Sequence, residues 1–302
     1  KNRTTCPYCA VGCQLNLITK GNEVVGAEPY KGEYMTETST GGILCVKGRF
    51  AYNFINNKDR LRTPLIKNAN GEFEEATWDE ALSLIAEKLG GIKEEFGPEY
   101  IAGFSCARAT NEDNYVMQKF MRAAIGTNNV DHCARVWHSP TVAGLATTLG
   151  SGAMTNSFRE VLNAESILMV GSNPTEAHPV FGTMFKRAVA NGAKLAVVDP
   201  RKIELAEIAD IHVPIKPGTN IAFANAVAHV IYKEGLHDKK YIDERTEGFD
   251  EYLKVIEKYT PEYAAEICEI DPQLIIDVAR QYGGAEHASI FYTLGITEHI
   301  TG

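Results

Sequence analysis

Ser166-Ile167-Leu168-Met169-Val170-Gly171-Ser172-Asn173 is the stretch on which the fold turns. A short apolar run stopped by a glycine and polar residues reads as a buried strand with a turn at its end. Val180 to Ala190 follows with helical spacing, and Lys194-Leu195-Ala196-Val197-Val198-Asp199 is a second apolar run. The rhythm then repeats. His212 to Lys216 reads as a strand and Ile221 to Lys233 as a helix. Asp271 and Pro272 supply the N-cap and first turn of a helix reaching about Tyr282, and Ala288 to Gly295 reads as a last strand. Strands alternating with helices of this length predict an α/β fold built on a doubly wound, Rossmann-like parallel sheet. In such sheets ligands sit at the carboxyl ends of the strands.

Upstream, Thr77 and Glu80 have the spacing of a capping box, and Leu82, Ile85, Ala86 and Leu89 continue at helical intervals until Gly97-Pro98. Tyr100 to Ser105 reads as a buried strand and Asn114 to Ile125 as a helix. The first 57 residues differ in character. They are rich in Cys, Gly and Thr, with short alternating runs at Gln14 to Ile18 and Glu23 to Val25 that read as small strands. Three blocks are therefore expected: a ligand-held module over 1–57, the first part of an α/β domain over 58–130, and a Rossmann-like domain over 131–302. The sequence stops at Ile300-Thr301-Gly302, directly after a strand, and reads as a piece of a longer protein.

The net charge of −9 argues against a nucleic-acid partner, and no apolar run has the length of a membrane helix. Of seven cysteines, Cys6, Cys9, Cys13 and Cys45 crowd into the N-terminal module, spaced C-x2-C-x3-C-x31-C. An odd, clustered set is not a disulfide framework and points to metal binding in a reducing, cytoplasmic compartment. Three thiolates close together with a distant fourth suit a [4Fe–4S] cluster. A four-cysteine zinc site is the alternative, although its usual second C-x2-C pair is missing. Lys47 by itself reads as a solvated surface lysine; two residues after Cys45, it places a cation where it can stabilise a reduced cluster or bridge to a second cofactor.

Asp131-His132-Cys133-Ala134-Arg135-Val136-Trp137-His138-Ser139-Pro140 is dense in reactive side chains and does not read as the interior of a helix. His138 is a candidate general acid or base, since imidazole exchanges protons readily near neutral pH; a structural histidine is the plainer reading. Arg135 is a candidate anion clamp or an ordinary ion-pair partner. Cys133 reads as a small buried hydrophobe. Three successive strands end in polar clusters: Gly171 to His178 with Asn173 and Glu176, Asp199-Pro200-Arg201-Lys202, and Lys216 to Asn220 with Gly218. Asp199 is suited to a ribose or guanine edge and Arg201 to phosphate. No G-x-G-x-x-G or P-loop is present, so a simple dinucleotide or ATP fold is not indicated.

With these residues in view, the chain resembles the catalytic subunit of the molybdopterin-dependent formate dehydrogenases along its whole length. The stretches that carry the likeness are Cys6-Pro-Tyr-Cys-Ala-Val-Gly-Cys, Gly126-Thr-Asn-Asn-Val-Asp, Cys133-Ala-Arg-Val, Asp199-Pro-Arg-Lys and Arg245-Thr-Glu-Gly-Phe. The cluster motif is shared with nitrate reductases and related enzymes, while the stretch from Cys133 to Pro140 points to formate. The resemblance implies two pyranopterin guanine dinucleotides on one molybdenum or tungsten. It implies reversible oxidation of formate to carbon dioxide, with electrons leaving through the cluster to a partner subunit that carries iron–sulfur clusters or flavin. It makes Cys6, Cys9, Cys13 and Cys45 the cluster ligands and Lys47 the lysine between cluster and pterin. His138 becomes the histidine beside the metal. Arg108, Asn173, Glu176, Asp199, Arg201 and Gly218 fall among the cofactor-binding positions.

Two departures stand out. Family members extend well beyond this C-terminus, where a further pterin-binding domain and an active-site arginine are expected. The family also carries selenocysteine or cysteine, bound to the metal, at the position of Trp137. An indole has no anionic donor for a metal. The codons for selenocysteine and tryptophan differ by one base, so residue 137 is read as a selenocysteine written as Trp. A genuine tryptophan would instead suit a pterin-free electron-transfer subunit. Other enzymes of the superfamily, of the formylmethanofuran dehydrogenase or nitrate reductase type, remain the catalytic alternatives.

Overall fold

The computed structural model describes residues 1–31 and 41–299, with the backbone alone at Val136. Ile300–Gly302, where the sequence reads as interrupted, lie outside the described residues. Strands β1 (Asn2–Thr5), β2 (Gln14–Lys20) and β3 (Glu23–Pro29) form a small sheet in that order; β2 and β3 grow from the short alternating runs, and β1 adds a strand not read from the sequence. After the short helix Val46–Phe50, β4 (Leu65–Lys67) and β5 (Phe73–Glu75) pair antiparallel, Leu65 opposite Glu75. The described chain divides into two compact units. Lys1–Ala10, Leu15–Glu28 and Val46–Val136 make the first; Val11–Gln14 and the described parts of Pro29–Cys45 and Trp137–Gly302 make the second.

In the first unit the Thr77 capping box forms as read. Thr77 Oγ1 accepts from the Glu80 amide at 3.3 Å, and the Glu80 carboxylate accepts from the Thr77 amide at 2.7 Å. Those bonds hold the Glu80 carboxyl below its usual range, and the helix they start runs Trp78–Phe96. The next two expectations shift at their edges. Pro98–Tyr100 takes a 3-10 turn, leaving only Gly103–Ser105 as strand β6, with Phe104 76% exposed rather than buried. The following helix starts at Asn111, three residues early, because Thr110 and Asp113 form a second capping box, and it ends as a π-helical turn over Phe120–Ile125. Strand β7 (Val130–His132) pairs parallel with β6, Ser105 opposite His132. Ile101, Met121 and Ile125 form a small core beside this pair, with Leu89 and Val130 against it.

The second unit is the sheet anticipated from Ser166. Strands β8 (Ser166–Val170), β9 (Lys194–Val198), β10 (Ile211–Val213) and β11 (Ala288–Tyr292) run parallel in the order β10-β9-β8-β11. Every residue of β8 is buried, as expected of a strand covered on both faces. Leu168, Val170, Ala196 and Val198 pack with Phe223, Ala264 and Ile275 from the helices Asn220–Lys233, Pro261–Cys268 and Pro272–Gly283. Phe181 and Phe185 of the helix Pro179–Ala190 meet Phe291 of β11, Phe185 edge-on at 4.8 Å. Pro214 lacks the amide that a longer β10 would need, so the strand expected over His212 to Lys216 stops at Val213. The strand expected to reach Gly295 ends at Tyr292, and Thr293 leads into the short helix Leu294–Thr297. No helix among the described residues is long and apolar enough to cross a membrane.

Candidate functional site

The chain builds β8, β9 and β10 outward in one direction, then returns to lay β11 on the other side of β8. The reversal makes the carboxyl ends of β8 and β11 a topological switch point, the place where open α/β sheets bind ligands. Gly171 terminates β8 in the left-handed region, at φ +55. A Cβ at Gly171 would lie 2.6 Å from the Cα of Gly295. The Gly171 carbonyl accepts from the Gly295 amide at 3.1 Å and from Thr293 Oγ1 at 2.9 Å. Only glycines allow the two backbones this approach.

The polar residues read from the sequence surround this end of the sheet. Asn173 is half-buried before the short helix Pro174–Ala177, and its Oδ1 accepts from Thr175 Oγ1 at 3.1 Å. Asp199, after β9, accepts from the Arg201 amide at 2.8 Å, which folds the Asp-Pro-Arg turn back on itself. The Arg201 guanidinium reaches Glu176 at 3.7 Å, so the loops after β8 and β9 meet through an exposed ion pair. An exposed pair of this kind adds little stability, which leaves both side chains available to a ligand. Gly218 sits exposed at φ +85 on the turn after β10, with open space where a side chain would stand.

Trp137, half-buried, closes the short helix Ala134–Trp137, and exposed His138 interrupts the chain at φ −133. The His138 carbonyl then starts the helix Ser139–Leu149 by accepting from the Val142 amide at 3.0 Å. One turn in, Thr141 Oγ1 lies 2.6 Å from Thr297 Oγ1, which also bonds the Thr293 carbonyl. The helix that His138 opens is thus tied to the same turn that packs on Gly171. Arg135 pairs with Asp131 at 3.9 Å, the ordinary alternative for that residue.

In the N-terminal module, Cys6 and Cys9 belong to the first unit and Cys13 and Cys45 to the second; none forms a disulfide. Ala10 and Gly12, between Cys9 and Cys13, both take left-handed conformations. Cys13 is buried and the other three half-buried. Among the described residues no three His, Cys, Asp or Glu side chains are grouped as a metal ion requires. Lys47, exposed on the helix Val46–Phe50, lines a cavity of about 200 Å³ with Tyr8, Leu17 and Tyr52. Tyr8 Oη donates to the Ala51 carbonyl at 2.6 Å. Arg108 donates through its guanidinium to the Tyr8 carbonyl, between the two first cysteines.

Residues 60–302 match the family model described as molybdopterin oxidoreductase, and residues 1–57 match the molybdopterin oxidoreductase Fe4S4 domain. The chain belongs to the molybdopterin oxidoreductase family. It is 50% identical over 299 residues to the F420-dependent formate dehydrogenase subunit alpha of Methanocaldococcus jannaschii, covering 99% of this chain and 43% of that protein. It is 46% identical over 305 residues to formate dehydrogenase H of Escherichia coli, covering 99% and 42%. Among solved structures, acetylene hydratase from Pelobacter acetylenicus matches with a TM-score of 0.82 at 25% identity, over 98% of this chain and 41% of that one. The chain therefore spans less than half the length of these relatives.

The two molybdopterin oxidoreductase domains are those of a [4Fe–4S] cluster and of a molybdopterin holding molybdenum or tungsten. The donor set fits the first group in kind and number: four cysteines, none in a disulfide, spaced C-x2-C-x3-C-x31-C. The strand ends fit a nucleotide-bearing pterin, with open space at the left-handed Gly218 for close approach and an exposed carboxylate–guanidinium pair for polar groups. Three contributors went unread in the sequence: Thr141, Thr293 and Gly295. A threonine and a glycine just past an apolar run were the available signal, and they were absorbed into the strand. Cys133 is corrected. It is half-buried with its Sγ 3.7 Å from that of Cys106, and so is not an isolated core hydrophobe.

Proposed function

We propose that this chain forms the cluster-bearing and pterin-binding part of a formate dehydrogenase catalytic subunit, interconverting formate with carbon dioxide, a proton and two electrons. The observation that carries the reading is 46–50% identity across 99% of the chain to subunits named formate dehydrogenase. Identity of that depth preserves side chains at a site as well as the fold, whereas the acetylene hydratase likeness speaks for the fold.

When bound, the metal–pterin group supplies the two-electron redox chemistry. The chain's own residues supply the setting. Asn173, Glu176, Asp199, Arg201 and Gly218 hold a guanine dinucleotide at the strand ends, and Arg108 adds a cation beside the Cys6–Cys9 loop. Exposed at its helix start, His138 is free to take up the formate proton. Lys47 sets a positive charge beside Cys45, the last of the cluster thiolates Cys6, Cys9, Cys13 and Cys45. The electron acceptor is a partner subunit bearing iron–sulfur clusters or flavin, and cysteines held out of disulfides suit a cytoplasmic setting.

Residue 137 is, in this reading, selenocysteine in the native protein, because the metal needs an anionic donor there. The test is mass spectrometry of the native tryptic peptide Val136–Arg159, combined with formate-dependent dye reduction by the full-length enzyme. A selenium isotope pattern with formate turnover supports the proposal. Tryptophan at 137 with no turnover overturns it and favours an electron-transfer role, the one alternative that Trp137 itself recommends.

A further inference from the structure

Cys106 and Cys133 occupy matching places in the first unit. Each is the residue immediately after a strand, Cys106 after β6 and Cys133 after β7, and these strands pair in parallel with Ser105 opposite His132. Paired parallel strands run about 4.8 Å apart, within the Cα separation that a disulfide spans. The two sulfurs lie 3.7 Å apart, and both side chains are half-buried. A disulfide needs about 2.05 Å between sulfurs, so side-chain rotation within the existing loops closes the gap. Neither thiol belongs to the proposed cluster set, and the proposed chemistry uses neither.

We infer that Cys106 and Cys133 form a redox-active dithiol that closes reversibly to an intramolecular disulfide, with Cys133 as the attacking sulfur and Cys106 as the resolving one. The roles follow from the surroundings. The Ala107 amide donates towards Cys133 Sγ and, with the Cys106 thiol and the amides of Ala134 and Cys133, holds that thiol below its usual range. The sulfur that loses its proton more readily is the better nucleophile. Cys106 donates to Cys133, and its own sulfur accepts from the Arg108 amide at 3.4 Å. With a peroxide as oxidant, the Cys133 thiolate attacks the O–O bond, forming a sulfenic acid and releasing hydroxide. Cys106 then displaces the second oxygen as water once the protons are shared out. In total two thiols and one peroxide give one disulfide and two waters.

The bond would join two stretches that each lead to a functional residue. Cys106 lies two residues before Arg108, which holds the Tyr8 carbonyl between Cys6 and Cys9. Cys133 directly precedes the helix Ala134–Trp137. Closing the pair stiffens both loops where they leave the sheet.

The experiment treats the anaerobically purified full-length protein with one equivalent of hydrogen peroxide, alkylates the remaining thiols before unfolding, and maps unreduced tryptic peptides. The expected product joins Glu94–Arg108 to Ala123–Arg135, is lighter by two hydrogens than the two peptides together, and is lost on adding dithiothreitol. In Cys106→Ser, Cys133 should stop at the sulfenic acid and be trapped by dimedone; in Cys133→Ser, Cys106 should stay reduced. Recovery of both peptides as separate alkylated or over-oxidised species in the wild-type protein overturns the inference. Dimedone labelling of Cys106 in preference to Cys133 overturns the assignment of roles. The wild-type mapping stands even if a variant fails to fold.

Discussion

Gly171 and Gly295 meet backbone to backbone where β8 and β11 end, joined by the Gly295 amide donating to the Gly171 carbonyl at 3.1 Å. A methyl group on Gly171 would stand 2.6 Å from Gly295 Cα, and Gly171 is also in the left-handed region at φ +55. The Gly171→Ala variant therefore meets both a backbone clash and conformational strain. Overpacking of this kind costs about 1–3 kcal/mol, and urea denaturation should show at least that loss. Gly295→Ala should lose a similar amount. An unchanged midpoint in either variant would mean that the turns separate easily.

Thr141 and Thr297 fasten the helix that begins at His138 to the turn after β11. Thr297 is buried at 4% exposure, so losing Thr141 leaves its hydroxyl away from water with the Thr293 carbonyl as its remaining partner. Thr141→Val should cost about 1 kcal/mol. The double variant Thr141→Val with Thr297→Val should cost less than the sum of the singles, because each single already loses the bond the two residues share. Strict additivity in the double-mutant cycle would show that the bond is not made in solution.

These two contacts mark where sequence reasoning ended. Local signals were legible: Thr77 with Glu80 set a helix start, Asp271 with Pro272 set another, and the Ile167–Val170 run set a buried strand. The ends of β8 and β9 could be placed because Gly171 and Asp199 close apolar runs. Glu176 and Arg201 each stand out in the sequence, but their ion pair depends on β8 lying beside β9, which no local pattern states. Gly171 with Gly295, Thr141 with Thr297 and Cys106 with Cys133 join residues far apart in the chain. No local pattern around any of these residues names its partner, which only the fold supplies.

Asp210 makes the second unit sensitive to acid. Burial raises its carboxyl, but the Lys194 ammonium at 2.7 Å and the Leu195 amide at 2.9 Å outweigh burial and leave it lowered. A carboxyl depressed in the folded state contributes stability above its unfolded pKa and loses it as pH falls through the folded one. The wild-type protein should therefore exceed Asp210→Asn in stability at neutral pH. That advantage should shrink as pH drops through and below about 4. Thermal melts of both proteins across this window check the point; a constant gap at every pH would assign the effect to packing instead.

Cys45 and Cys268 offer a contrast between a thiol proposed to hold metal and one packed in the core. Cys268 is fully buried, its sulfur approaches the Thr219 carbonyl at 3.6 Å, and burial pushes its thiol up. It is a small hydrophobe in chemical terms. Cys268→Ala should cost on the order of 1 kcal/mol and leave iron content and visible absorption unchanged. Cys45 is half-buried, follows a turn, and directly precedes the helix that carries Lys47. Cys45→Ser replaces a soft thiolate with a hard hydroxyl, which holds an iron–sulfur cluster poorly. The anaerobically purified variant should lose most of its iron and its brown colour while the parallel sheet of the second unit keeps its far-ultraviolet signature. Full iron in Cys45→Ser, or lost iron in Cys268→Ala, would mean that the cluster is held by a different set of cysteines.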